Sequence, residues 1–269
     1  MAEIETIVVT GWTDLMDVLY RDSWNPGLRR FRSPYVFRGN ADARNDLSTS
    51  LMRALRGFSD PHRLEGHLLR NFRKYAHMDA QLGSSIWNWL ALAQHHGVQT
   101  RLLDWSFSPL VAAHFVTDNL SAYDVDGVIW CINLREANQR LPGPLRDLAR
   151  REGVDVFTGE MLDQVADSLE KLRQLSADDF VLFLEPPSLD KRIVSQFALF
   201  ALMSNPATGF DEWLNKHSEL ARKVVIPAGL KWEVRDKLDQ SGVNERMLYP
   251  GLDGLGRWLS RYYRARPPE

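Results

Sequence analysis

Three short stretches of this chain concentrate polar side chains where packing alone would not ask for them. Residues 37–39 read Phe-Arg-Gly, an arginine set beside a glycine at the end of a short apolar run. The planar fork of arginine suits phosphate or carboxylate, and glycine lets another group approach the backbone closely. Taken by itself, the tripeptide also reads as a strand end with an exposed arginine. The second stretch, Ala93-Gln94-His95-His96-Gly97-Val98-Gln99-Thr100-Arg101-Leu102-Leu103-Asp104-Trp105-Ser106, packs two histidines, two glutamines, hydroxyls, an arginine and an aspartate between apolar segments. Polar groups at that density near a core need partners or water. Arg101 and Asp104 are spaced to brace the segment as an ion pair. His95 and His96 are adjacent, so on a helix they diverge by about 100 degrees and only one of them can serve a site. The third stretch, residues 192–200, places Gln196 inside an apolar run, where its amide either ties a neighbouring loop or reaches into a pocket.

The elements that must carry these groups follow from periodicity and breakers. Ile4 to Val9 predicts a strand, Thr13 caps a helix bearing Leu15, Met16, Val18 and Leu19, and Tyr35 to Arg38 predicts a short strand stopped by Gly39. Helices are expected over 50–56, 61–77 and 85–96, the last ending at Gly97, and Ser108-Pro109 opens another. The polar stretch from Gln94 to Ser106 reads as a loop forming one wall of a site. Residues 127–134 predict a central strand, 156–175 a helix, 178–184 a strand, and 192–203 a core strand with helix as the competing reading. Helix, strand, helix and helix then close the chain over 210–220, 222–226, 230–240 and 252–263, and the tail is expected to be loose.

Composition narrows the class. Of 269 residues, 44% are hydrophobic and 25% charged, as in ordinary globular chains, which excludes a disordered, collagenous or coiled-coil protein. Lys plus Arg (33) nearly balances Asp plus Glu (35), so the net charge of -2 gives no global reason for nucleic-acid or membrane binding. A single cysteine, Cys131, rules out an internal disulfide and reads as an inert core residue. Glu3 and Glu5 near the start predict no secretory leader, and no apolar run approaches the roughly 20 residues a bilayer needs. The expectation is a cytoplasmic protein without a membrane partner. Dinucleotide, P-loop and nucleophile-elbow motifs are missing, as is metal-ligand spacing. The whole reads as an α+β protein: a strand–helix segment over 1–32 packed on one domain, 33–263, with a central mixed sheet surrounded by helices.

Together the three stretches, with Phe107-Ser108-Pro109 and Ala112-Ala113-His114-Phe115, closely resemble the FRG domain family, named for its Phe-Arg-Gly motif. Leu-Tyr-Pro-Gly-Leu-Asp-Gly-Leu, 248–255, is similar to that family's C-terminal signature. The resemblance spans roughly residues 33–260, with His96 where an aromatic is common and Ala198 where glycine is frequent.

The motif order is similar, remotely, to the ADP-ribosyltransferase fold, which implies NAD as a substrate and no metal. By that likeness Arg38 with Gly39 would hold phosphate or ribose, and Thr100 or Ser106 would supply the hydroxyl. Arg101, Asp104 and Trp105 would line the pocket, and Gln196 would take the late position on a strand. An amide lacks the negative charge that an oxocarbenium-like state calls for, so Glu185 stands as the acidic substitute, and His95 as a group to orient ribose or accept a proton. The implied activity is ADP-ribosylation of a macromolecule, protein or nucleic acid, in bacterial defence such as phage defence, or in a toxin system. The alternatives are a non-catalytic nucleotide- or partner-binding module and a metal-dependent nuclease.

Overall fold

The computed structural model describes residues 3–54, 61–77, 82–188 and 191–266. Its strands are β1 (Glu5–Val8), β2 (Trp24–Asn25), β3 (Arg30–Phe31), β4 (Tyr35–Asn40), β5 (Leu102–Ser106), β6 (Gly127–Asn133), β7 (Val181–Leu184), β8 (Ala198–Met203) and β9 (Ala221–Ile226). Its helices are α1 (Trp12–Tyr20), α2 (Ser50–Ala54), α3 (Pro61–Ala76), α4 (Ile86–His95), α5 (Pro109–Thr117), α6 (Leu134–Gln139) and α7 (Gly143–Glu152). They continue with α8 (Gly159–Asp163), α9 (Leu169–Arg173), α10 (Lys191–Ser195), α11 (Phe210–Lys216), α12 (Lys231–Gln240), α13 (Glu245–Leu248) and α14 (Leu252–Tyr262). The fold is α+β, with a mixed seven-stranded sheet and helices around it.

Sheet order is β1-β9-β6-β4-β5-β8-β7, and only the β1–β9 pairing is parallel. The N-terminal segment therefore contributes an edge strand to the main sheet, and α1 packs on β9 and α12. Strands β2 and β3 form a separate two-stranded ribbon.

Alternation along the strands sends residues to two faces. Val36, Leu103, Trp105, Trp130 and Leu199 pack into one cluster with Phe210 and Trp213 of α11, continuous across the middle of the sheet. The other face carries two clusters. One gathers Leu102, Phe200 and Leu202 under α4, and the other gathers Phe37, Ile129 and Cys131 under α5 and α12. Between these two the sheet face is left partly uncovered. The same place is the weakest in the sheet: β4 and β6 pair over six residues, whereas β4 and β5 share one pair, Phe37 with Ser106.

Several elements differ from expectation. Leu102–Ser106 is a central strand and not part of a loop, because Asp104 and Ser106 face the uncovered seam and mask the strand's apolar pattern. Residues 192–203 are a short helix, a turn and a strand; Phe197, at φ 48, breaks the run. Residues 156–175 hold two short helices capped by Thr158 and Ser168, after Phe157 bridges Leu184. Helix α1 starts at Trp12 after Gly11, not at a Thr13 cap, and the Asp14 carboxylate accepts from Thr10 N–H at 2.8 Å. Strand β4 runs through Gly39 to Asn40. Residues 55–56 and 267–269, expected as helix end and loose tail, lie outside the described residues.

Candidate functional site

The seam between the two clusters is a cavity of about 280 Å³. Strand β4 brings Phe37, Arg38 and Gly39 to it, β5 brings Asp104, Trp105 and Ser106, and the end of α4 brings Gln94 and His95. Phe115 of α5, Arg192 and Ile193 of α10, Gln196 in the following turn, and Ala198 and Phe200 of β8 complete the lining. Three stretches distant in the chain thus meet around one hollow, because β4 and β5 separate after their single pair and α4 and α5 each cover only one side.

Arg38 fills the opening between those strands. Its Nη1 donates to the Asp104 carbonyl at 2.5 Å, while its Nε is buried with no partner. Burial pulls the guanidinium pKa down, Asp104 opposes that, and the charge of Arg53 adds to the lowering. Asp104 is exposed although it sits on a central strand, so its carboxylate projects into the cavity. One of its oxygens accepts from Gln94 Nε2 at 3.1 Å. The Gln94 oxygen in turn accepts from Thr100 Oγ1 at 2.6 Å, and that hydroxyl accepts from Leu102 N–H at 3.2 Å. With its acceptor site filled by a backbone N–H, the Thr100 hydroxyl gives its proton to Gln94, which turns the amide NH2 toward the carboxylate.

Gln196 does both things its sequence position allowed. It lines the cavity, and its Nε2 donates to the Leu248 carbonyl at 3.1 Å, tying the 248–255 segment to the site. Ser106 Oγ donates to the Gln196 carbonyl at 2.8 Å and accepts from Ser108 N–H at 3.0 Å, so it fixes the turn after α10. Trp105 borders the cavity, but its indole packs on the opposite face, with ring centres 6.0 Å from Phe183 and 5.7 Å from Phe210. Of the two adjacent histidines, His95 lines the cavity and His96 is exposed beside Phe72.

Gly39 has a packing role beside any contact with a ligand. A Cβ there would stand 1.9 Å from the Ala112 carbonyl oxygen, so only glycine lets β4 and α5 come together. Arg192, which the sequence reading left without a role, lies over the Tyr249 ring at 4.9 Å while lining the cavity.

Three expected site residues lie elsewhere. Arg101 is 1% exposed and does not pair with Asp104; its guanidinium forms a buried ion pair with Glu65 of α3, and Nη1 donates to the Ser204 carbonyl at 2.8 Å. Its donors are thereby committed to structure. Thr100 is buried and acts on the cavity only through Gln94. Glu185 is exposed at the end of β7, the sheet edge, and is not among the lining residues. Cys131 is buried, with its thiol pushed up to about 12 by that burial. Among the described residues no three His, Cys, Asp or Glu side chains are grouped to hold a metal ion, and no helix is long and apolar enough to cross a membrane.

Fold and cavity together define an α+β protein with a small cleft of mixed charge, in which a guanidinium and a carboxylate share one wall. Residues 33–124 match the family model of the FRG domain. The matched stretch contains the Phe-Arg-Gly tripeptide, the Gln94–Ser106 segment and α5, whereas Arg192, Gln196 and residues 248–255 come from beyond it. No curated protein and no solved structure matches the chain.

Proposed function

We propose that the cavity binds NAD and that the protein is an ADP-ribosyltransferase-like enzyme, acting on a macromolecular target in bacterial defence or in a toxin system. The observation that carries this reading is the exposed carboxylate of Asp104 on a central strand, held by Gln94 beside the guanidinium of Arg38. A volume of about 280 Å³ is at the small end of ligand pockets, which suits one end of a dinucleotide with the rest lying at the mouth. In this reading Arg38 attracts the pyrophosphate, Phe115 and Phe200 offer apolar contact to the nicotinamide, and His95 and Gln196 face the ribose.

The bond between ribose C1′ and the nicotinamide nitrogen breaks with both electrons going to the base, which leaves neutral. C1′ becomes an oxocarbenium, and a nucleophile of the target captures it and gives up its proton. Asp104 supplies the negative charge that Gln196 lacks and takes the role expected of Glu185, because it is the carboxylate in the cavity. A second reading, a nucleotide-binding module without turnover, is favoured by the commitment of the Gln196 amide to the Leu248 carbonyl.

Melting the protein at rising NAD concentration, with free nicotinamide assayed in the same samples, separates the readings. Saturating NAD should raise Tm by about 5 °C or more and release nicotinamide. A rise without release favours the binding module, and neither effect in folded protein overturns both.

A further inference from the structure

We propose that α14 is a dimer interface, which pairs antiparallel with the α14 of a second copy of this chain. A surface helix normally turns its apolar side to the core, and α14 does the reverse. Its inward side is Gly254 and Arg261, seven residues or about two turns apart. A Cβ on Gly254 would stand 1.8 Å from the Tyr249 carbonyl oxygen, and Arg261 Nη2 donates to Asp239 at 2.7 Å and to Glu245 at 2.8 Å. The opposite side carries Leu252, Leu255, Leu259, Tyr262 and Tyr263, at steps of three, four, three and one, which fall on one face. Leu252 is 84% and Tyr263 78% exposed, so this apolar stripe is turned to solvent.

The flank beside the stripe indicates what covers it. Asp253, Arg257, Ser260 and Arg264 follow one another at steps of four, three and four residues, and all line the same open hollow. Arg264 lies just past the last helical residue, yet its N–H donates to the Arg261 carbonyl at 3.0 Å, so the chain is still turning there. Asp253 and Arg264 have no ion-pair partner among the described residues. A two-fold axis across an antiparallel pair sets each flank against its own copy with the ends exchanged. Asp253 of one copy then meets Arg264 of the other, twice, and Arg257 meets Ser260, so no like charges stand opposite. On the stripe, Leu255 meets Tyr262, and Leu259 lies beside the axis.

An acid at one end of the flank and a base at the other favour a second copy over a bilayer, which draws cations along the whole polar side of a helix. The stripe offers on the order of 500 Å² per copy, near the largest apolar patch a monomer carries. With its flanks it approaches the roughly 800 Å² per partner of a standard interface. The helix also reaches the cavity: Arg257 lies over the Tyr249 ring at 5.0 Å, and Arg192, which lines the cavity, lies over the same ring at 4.9 Å. Pairing through α14 stands independently of turnover in the cavity.

The test is sedimentation velocity of the full chain over about 1 to 100 µM, where the wild type should pass from 30.9 kDa to twice that mass. Asp253→Arg sets like charges opposite at two places and should weaken the dimer at least 10-fold, as should Arg264→Asp. The two changes together should restore affinity to within about threefold of the wild type. Leu259→Glu brings two carboxylates together beside the axis and should leave a monomer at about 100 µM, with Tm lowered by only a few degrees. A wild type that stays monomeric at that concentration overturns the proposal, as does a double variant that dimerises no better than the single ones. So does flotation of a monomeric wild type with phosphatidylcholine–phosphatidylserine vesicles that is lost in Leu259→Glu, which would assign the stripe to a membrane.

Discussion

The guanidinium of Arg38 donates to the backbone carbonyl of Asp104 at 2.5 Å, closing the gap where β4 and β5 part after a single residue pair. One bond thus joins the Phe-Arg-Gly strand to the strand that bears the cavity's carboxylate. It leaves Arg38 Nε buried without a partner, a donor that a bound anion near the opening can use only if the guanidinium turns. Replacing Arg38 by lysine keeps a charge but removes the fork. NAD affinity measured by calorimetry should fall at least 10-fold, with Tm lowered by only a few degrees, since one net hydrogen bond is worth about 1 kcal/mol.

The ion pair between Arg101 and Glu65 is structural, with both side chains 1% exposed. Removing one partner strands the other charge in the core. Glu65→Ala should cost about 3–5 kcal/mol in urea unfolding, whereas replacing the pair with apolar residues of similar volume should recover most of that loss.

Gly39 is required by the packing of α5 on β4. Gly39→Ala should lower stability by at least about 2 kcal/mol even in a variant chain never shown NAD, because the new methyl group meets the Ala112 carbonyl oxygen at 1.9 Å. Gly143→Ala, where nothing lies within 4 Å, serves as the control and should be near neutral in the same unfolding assay.

His114, fully buried on the inner side of α5, accepts from Arg235 Nη1 at Nδ1 over 2.8 Å. Burial, and then the charge of Arg235, hold its pKa down at about 3. The unfolded chain therefore takes up a proton near pH 6.5 that the folded chain refuses until about pH 3, and stability falls as pH drops through that window. The cost is up to about 1.4 kcal/mol per pH unit. Urea midpoints at pH 7 and pH 4.5 should converge in His114→Gln relative to the wild type; an unchanged difference would remove His114 as the cause.

Much of the site was legible in residue types. Arg38, Asp104, His95 and Gln196 stood out because polar side chains interrupt apolar runs, and adjacency alone decided that one histidine at most could face inward. The same polar residues hid β5: with Asp104 and Ser106 turned to a cavity and not to a core, the strand lacks the pattern that marks strands. The partner of Arg101 was hidden by distance, since Glu65 lies 36 residues earlier on a helix whose other charges are all basic. Asp104 was nearer in sequence but belongs to a strand that turns its carboxylate to Gln94. Glu185 lies away from the cavity because position near a strand end says nothing of which edge of the sheet that strand occupies.

The most direct test is the rate of nicotinamide release from NAD by wild type and by Asp104→Asn. An asparagine keeps the shape of the side chain and can still bond Gln94, but it removes the negative charge that the proposed reaction sets beside the oxocarbenium. We expect steady release by the wild type, a kcat at least 100-fold lower in Asp104→Asn with KM changed less than threefold, and unaltered rates in Glu185→Gln. Equal rates in the wild type and Asp104→Asn, or loss of activity in Glu185→Gln alone, would contradict it.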